Sequence, residues 1–201
     1  MQKIMFNDRY GLTQAVIEGR KTMTRRIEGG DRFQSAADLA VRIEYESITN
    51  SLILIDKDGA IFVQPLRYKV GEVVAVAQSY EQAGIDPEYH IEGGQLAKTH
   101  PGWRNKMFVK AELMPHQIRI TGVRCERLQD ITDAECLKEG VRVEFAMNGM
   151  PMYYYFDTKR WREAWFDTPR DAFASLIDKV SGKGTWQKNP WVVVYEFELV
   201  K

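Results

Sequence analysis

Strand signals in this chain come in runs, and no βαβ alternation separates them. Between residues 41 and 65, Val41-Arg-Ile-Glu-Tyr45 alternates and Leu52-Ile-Leu-Ile55 is a short apolar run. Asp58-Gly59 is a hairpin signal before Ile61-Phe-Val63, so the segment reads as a β-meander. Lys69-Val70-Gly71-Glu72 reads as a turn into an apolar strand from Val73 to Val76. A further strand spans about 117 to 128, with Ile118, Ile120 and Val123 as its apolar positions. The chain finishes in Trp191-Val-Val-Val-Tyr-Glu-Phe-Glu-Leu-Val200. Strand runs of this kind, with short helical patterns around them, predict an α+β fold. A small β-barrel decorated by short helices is expected, not a doubly wound sheet.

The helical signals are brief. Asn7 or Asp8 caps a helix from about 9 to 18, with Leu12, Ala15 and Val16 at helical spacing and Gly19 at the C′ position. Thr132-Asp-Ala-Glu135 is a capping box, and Gly140 closes that helix after two turns. Further helices are predicted at 158 to 166 and at 169 to 180, the second opened by Thr168-Pro169. Residues 81 to 106 are polar and punctuated by Gly84, Pro87, Gly93-Gly94 and Pro101-Gly102, which makes them a long loop or insertion. The 201 residues therefore form one domain, 1–201, with a loop insertion at about 81–110.

Charge limits the partners. The 28 basic and 28 acidic residues cancel, whereas a protein that wraps nucleic acid is basic overall. Any polyanion must meet a local patch, and residues 20 to 26 are the best one. No apolar run approaches the ~18 residues that span a membrane, and no signal-peptide hydrophobic region is present, so no membrane partner is expected. Cys125 and Cys136 lack a CxxC spacing, and His90, His100 and His116 are scattered. That pattern points to a reducing cytoplasm, no structural zinc and no cofactor.

Gly19-Arg20-Lys21-Thr22-Met23-Thr24-Arg25-Arg26 concentrates four cations and two hydroxyls. A Thr hydroxyl is a weak nucleophile unless a base takes its proton, and a Lys acts as that base only when its pKa falls. Three Arg neighbours and burial push in that direction. In a regular strand, residues three apart face opposite ways, so Lys21 and Thr24 cooperate only if the backbone turns between them. Glu139 sits beside the helix-ending Gly140, at the negative end of the helix dipole, where a general acid is favoured. Trp161 and Trp165, at i and i+4, read as one buried helix face, with Met147, Met150 and Met152 filling gaps around the aromatic core. Trp186 is the expected exception, free to stack a base.

The chain resembles ASCH domains of the PUA-like superfamily of small β-barrels. The resemblance rests on Gly19-Arg-Lys21-Thr22-x-Thr24-x-Arg26, Tyr68-Lys-Val-Gly-Glu72, Met114-Pro115 leading to Arg119-Ile120, Arg127-Leu128-Gln-Asp130-Ile131 through Glu139-Gly140, and Asn189-Pro190-Trp191-Val192. It covers most of the chain and is similar to longer phage- and bacteria-associated members, which implies a prophage origin. It implies a PUA-like barrel and a ligand that is RNA or a modified nucleoside. Some small members hydrolyse N4-acetylcytidine. Carried over by motif, Lys21 is the base, Thr24 the nucleophile and Glu139 the proton donor. Ligand contacts would come from Arg20, Thr22, Arg25 and Arg26, with Gln78, Tyr80 and Trp186 beside them. Gln78 stands where many longer members carry Glu.

Three functions follow. One is an RNA- or nucleoside-binding domain, in which the basic cleft holds the ligand and Tyr80 or Trp186 stacks a base. The second is an amidohydrolase, with Arg20 or Arg26 steadying the oxyanion. The third is a phage-associated accessory protein without catalysis.

Overall fold

The computed structural model describes residues 1–86, 88, 90–91, 94–95 and 98–200. In chain order the strands are β1 (Lys3–Ile4), β2 (Met23–Arg26), β3 (Ala40–Glu46), β4 (Ser51–Asp56), β5 (Ile61–Pro65), β6 (Val73–Val76), β7 (His90–Ile91), β8 (Gly94–Gln95), β9 (Gln117–Arg127), β10 (Arg142–Phe145), β11 (Pro151–Asp157), β12 (Arg162–Phe166) and β13 (Trp191–Leu199). The helices are α1 (Leu12–Ile17), α2 (Gly30–Leu39), α3 (Asp133–Lys138), α4 (Pro169–Ser181) and α5 (Thr185–Lys188). The fold is mixed α+β.

A five-stranded sheet in the order β1-β6-β9-β13-β2 forms the centre. Only β1 and β6 run parallel; the other neighbours are antiparallel. β13 lies between β9 and β2, and Val192, Val193, Val194 and Tyr195 are each at most 1% exposed. A strand covered on both faces reads as a continuous apolar run, which is why this segment does not alternate. Between Glu196 and Phe197 its register with β9 slips, and the Phe197 N–H donates to Thr22 O at 2.9 Å. That irregularity lets the chain just before β2 dock on the sheet without being part of it.

Two three-stranded meanders flank the centre: β3-β4-β5, as the sequence predicts, and β10-β11-β12. The second corrects the helix expected at 158 to 166. Residues 162–166 pair with β11, from Asp157↔Arg162 to Tyr153↔Phe166. Tyr154 faces Trp165 across the ladder and stacks on it, with ring centroids 4.3 Å apart. This cross-strand aromatic pair outweighs the i, i+4 spacing that suggested a helix. The buried Trp face is corrected too: Trp161 is 81% exposed and Trp165 41%. Met147 and Met150 are exposed at the β10–β11 hairpin tip and fill no gap.

The other boundaries differ less. The first helix starts as a 3₁₀ turn, Asp8–Tyr10, capped by Asn7, and becomes α-helical only from Leu12. Gly19 has φ +71° after its end. The Thr132–Glu135 capping box is present on α3, and Thr168 caps α4 by accepting from the Asp171 N–H. α2 was not signalled by the sequence. It packs Phe33 and Ala37 into the main core.

Pro87 and Gly93, expected within the long loop, lie outside the described residues. What is described of the insertion is ordered by a second small core of Ala77, Tyr80, Trp103, Val109, Ala111 and Met114. Gly102 is required there, because a Cβ would stand 2.6 Å from the Tyr80 ring. Among the described residues, no ladder joins the edge strands β1 and β2, so the central sheet is open. No described helix is long and apolar enough to cross a membrane.

Candidate active site

The open seam of the sheet is where the site lies. A cavity of about 360 Å³ is bounded by Met5, Phe6 and Asn7 after β1 on one side and by Thr24 to Ile27 on the other. Arg26 bridges the two edges, its Nη2 donating to Met5 O at 2.9 Å. Phe173, Leu176 and Ile177 from the apolar face of α4 close the cavity. The polar floor consists of Lys21, Thr24, Arg25 and Glu139.

Local backbone contacts bring Lys21 to Glu139. After Gly19 the chain folds back on α1, so the amides of Arg20 and Lys21 both donate to Ala15 O at 2.9 Å. The Thr22 N–H then donates to Lys138 O at 3.0 Å, tying this turn to the end of α3. Glu139 is the C-cap residue of α3. Gly140 follows with φ +108°, and a Cβ there would come within 2.9 Å of Leu12 Cδ2. Glycine is the residue that tolerates both the left-handed backbone and the contact. The turn before β2 also answers the geometric condition set by the sequence: Lys21 lies outside the strand and Thr24 within it, and both side chains reach one cavity.

Lys21 is 2% exposed and Glu139 5%. Lys21 Nζ donates to Glu139 Oε2 at 2.5 Å, to Glu139 O at 2.8 Å and to Met23 O at 2.7 Å. Burial pushes the Lys21 ammonium below the usual lysine range; Glu139 opposes that shift, while Arg26 and Arg25 add to it. Arg25 is fully buried and holds Glu139 Oε1 at 3.2 Å, Glu126 Oε1 at 2.6 Å and Glu135 Oε2 at 2.9 Å. Arg124 extends this network to Glu126, Glu135 and Glu196. The Thr24 hydroxyl makes no hydrogen bond to the described residues, although its residue is only 7% exposed. A hydroxyl without a partner on a cavity wall, beside a buried ion pair, is chemically available. The two thiols are not: burial pushes Cys125 and Cys136 up to about 12, so both stay protonated. Among the described residues, no group of three His, Cys, Asp or Glu is placed to hold a metal.

The remaining motif residues separate. Arg26 lines the cavity, with its guanidinium 5.9 Å from the Phe6 ring centre and its Nε buried without a partner among the described residues. Arg20 does not line it. Its guanidinium pairs with Glu18 at 2.6 Å, over a different depression beside Leu137 and Val143, which corrects its expected oxyanion role. Thr22 contributes backbone contacts only. Gln78 is buried beside another cavity, with Asp8, Thr13 and Gln82. Tyr80 is fully enclosed and its hydroxyl accepts from the Lys110 N–H at 2.9 Å, so no base can stack on it. Trp186 packs edge-on against Phe173 under Arg170, outside the cavity.

Sequence reasoning missed the acidic partners Glu126 and Glu135 and the α4 wall. The one signal was Arg124-x-Glu126 at strand spacing, which places both side chains on one face of β9. It also missed Glu28, which accepts from the Tyr195 hydroxyl at 3.0 Å and whose carboxyl burial pushes above the usual range. Compared with known protein families, characterised proteins and solved structures, the chain has no match.

Proposed function

We propose that this chain is an amidohydrolase that removes a small acyl group from the amine of a pyrimidine nucleoside of the N4-acetylcytidine type. One observation carries the reading: the buried Lys21–Glu139 pair and the unpartnered Thr24 hydroxyl share one cavity walled by Phe6, Phe173 and Leu176. A volume of about 360 Å³ lies at the lower end of the ~300–1,000 Å³ of ligand pockets, the scale of a single nucleoside. The ASCH resemblance points to the same three residues, and with it to a PUA-like origin of the open central sheet. A reading in which the motif grips RNA phosphates has less support, because Arg25 and Lys21 are withdrawn from the surface.

The reactive form of the pair is neutral, a Lys21 amine beside a Glu139 carboxylic acid. The proton crosses the 2.5 Å contact between them, and burial of the pair lowers the cost of losing both charges. The Lys21 amine then takes the Thr24 proton and Thr24 Oγ1 attacks the acyl carbon. Arg26 stands on the cavity wall to offset the oxyanion. When the carbon–nitrogen bond breaks, the Glu139 acid protonates the leaving amine. The acylated Thr24 faces an ion pair once more. Water gives a proton to the Glu139 carboxylate and attacks the ester, and Thr24 leaves with the Lys21 proton, which restores the neutral pair.

The test is cytidine release from N4-acetylcytidine, followed by chromatography. Thr24→Val, which keeps the shape and removes the hydroxyl, is expected to fold normally and lose at least ~10³-fold in kcat, the scale of losing a nucleophile and its base. Wild-type inactivity in folded protein, or full activity in Thr24→Val, would sink the reading.

A further inference from the structure

Residues that neighbour Lys21 and Glu139 in the chain line a second hollow, of about 400 Å³, which the proposed reaction does not use. Leu137, Val141, Val143 and Tyr154 form its walls, and the charged residues that line it are Arg20 and Arg142. We propose that this hollow binds a monocarboxylate with an apolar body, a medium-chain fatty acid, its head held by Arg142 and Arg20 and its chain by Leu137, Val141 and Val143. The proposal does not depend on the hydrolase reading.

Charge is the first argument. No acidic residue lines the hollow. Arg20 gives its Nε and Nη2 to one oxygen of Glu18, at 2.8 and 2.6 Å, and its Nη1 has no hydrogen-bond partner among the described residues. Arg142 forms no ion pair with the described residues. The Glu18 carboxyl is held below the usual carboxylate range, first by the Arg20 hydrogen bond, which outweighs the cost of burial, and the charge of Arg142 adds to this. Two guanidinium groups thus act on one carboxylate. Glu144 stands off the walls and accepts from the Tyr154 hydroxyl at 2.7 Å. The free N–H groups of a guanidinium are matched by the paired oxygens of a carboxylate.

Shape is the second argument. The volume falls within the ~300–1,000 Å³ of small-molecule sites. The aliphatic walls come from the end of α3 and the start of β10, and β10 is an edge of its sheet, so no strand among the described residues covers them. Val141 and Tyr154 are buried and Val143 stays exposed at the rim. Tyr154 is fixed by its stack on Trp165 as well as by Glu144. An inorganic anion leaves these apolar walls unfilled, and a plain hydrocarbon leaves Arg142 without a partner. A fatty acid satisfies both, because its chain is removed from water while its head stays with the cations. The hollow and the Thr24 cavity share no lining residue. Arg20 nevertheless precedes Lys21, and Leu137 and Val141 bracket Glu139, so a bound acid touches the turn that positions the ion pair from outside the cavity.

The experiment titrates hexanoate into the full chain, with methyl groups labelled for NMR to locate binding and calorimetry to measure affinity. The methyl signals of Leu137, Val141 and Val143 are expected to move, and those of Leu176 and Ile177 on the Thr24 cavity to stay. Affinity is expected to fall about fourfold for each methylene removed, through butyrate to acetate, the effect of one buried methylene. Arg142→Gln is expected to weaken hexanoate binding by about tenfold or more and to leave binding of the neutral hexanamide unchanged. Val143→Asp, at an exposed rim position, is expected to weaken hexanoate by about tenfold or more with the melting temperature close to that of wild type. Thr24→Val is expected to bind like wild type, which separates this hollow from the cavity. No methyl shift at about 10 mM hexanoate, or shifts at Leu176 and Ile177 in place of Leu137 and Val143, would overturn the proposal. So would equal affinity for hexanoate and hexanamide, which removes the arginines from the account, or acetate binding as tightly as hexanoate, the mark of an adventitious anion.

Discussion

A lysine ammonium has three hydrogens, and at Lys21 all three are directed at Met23 and Glu139, none at Thr24. In this state Lys21 has no lone pair to offer, and its buried charge is balanced by one carboxylate. Removing Glu139 leaves Lys21 uncompensated, whereas removing Lys21 leaves Glu139 still paired with Arg25. Glu139→Ala is therefore expected to lose about 3–5 kcal/mol of stability and Lys21→Ala less, read by urea denaturation. Thr24→Val, whose hydroxyl has no partner to lose, is expected to change stability by less than about 1 kcal/mol. Activity needs one proton shared by the pair. Gaining a second proton or losing the first gives an unreactive form, so kcat against pH is expected to be bell-shaped. A flat profile across pH 5 to 10 would exclude Lys21 and Glu139 as the acid–base couple. The motif and the odd position of Glu139 singled out the three residues that the structure brings to one cavity. The carboxylates around Arg25 were not, because Glu126 and Glu135 join it across more than 100 residues of sequence.

At the scale of elements, the short helix α3 and the turn before β2 position the pair through three backbone hydrogen bonds and one glycine. Gly140→Ala introduces a Cβ into a left-handed backbone and against Leu12. It is expected to cost about 1–3 kcal/mol and to lower kcat by displacing Glu139, while the same change at the exposed, unhindered Gly149 affects stability alone. A crystal structure of Gly140→Ala with Glu139 unmoved would contradict this. The cap signals at Thr132 and Thr168 and the meander at 41 to 65 were readable because their information is local. The segment 158 to 166 was misread because Trp161 and Trp165 satisfy a helical spacing that only the pairing with β11 overrules. In the same way, the insertion looked like loop until Tyr80, Trp103 and Val109 met in a core that no local pattern announces.

For the whole molecule, Arg9 and Asp157 fasten the N-terminal turn to the β10-β11-β12 meander. Their hydrogen bonds hold the Asp157 carboxyl down at about 2, below its ordinary 3.8. A carboxyl lowered in the folded state contributes stability that is complete above the unfolded value and is lost as pH falls through the folded one. Melting temperature is therefore expected to drop between about pH 4 and pH 2 in the wild type, and Arg9→Ala is expected to flatten that part of the curve. An unchanged acid limb in Arg9→Ala would remove this pair from the account. The central sheet has a consequence for how the protein is made. β2, which carries Thr24, has one ladder partner among the described residues, and that partner is β13. A ribosome making about 5–20 residues per second finishes residues 191–199 on the order of ten seconds after β2 emerges. Through that interval Thr24 waits on an unpaired strand, so the cavity shared by Lys21, Thr24 and Glu139 takes shape only when β13 slots in, and a chain stalled before Trp191 carries the motif without the cavity.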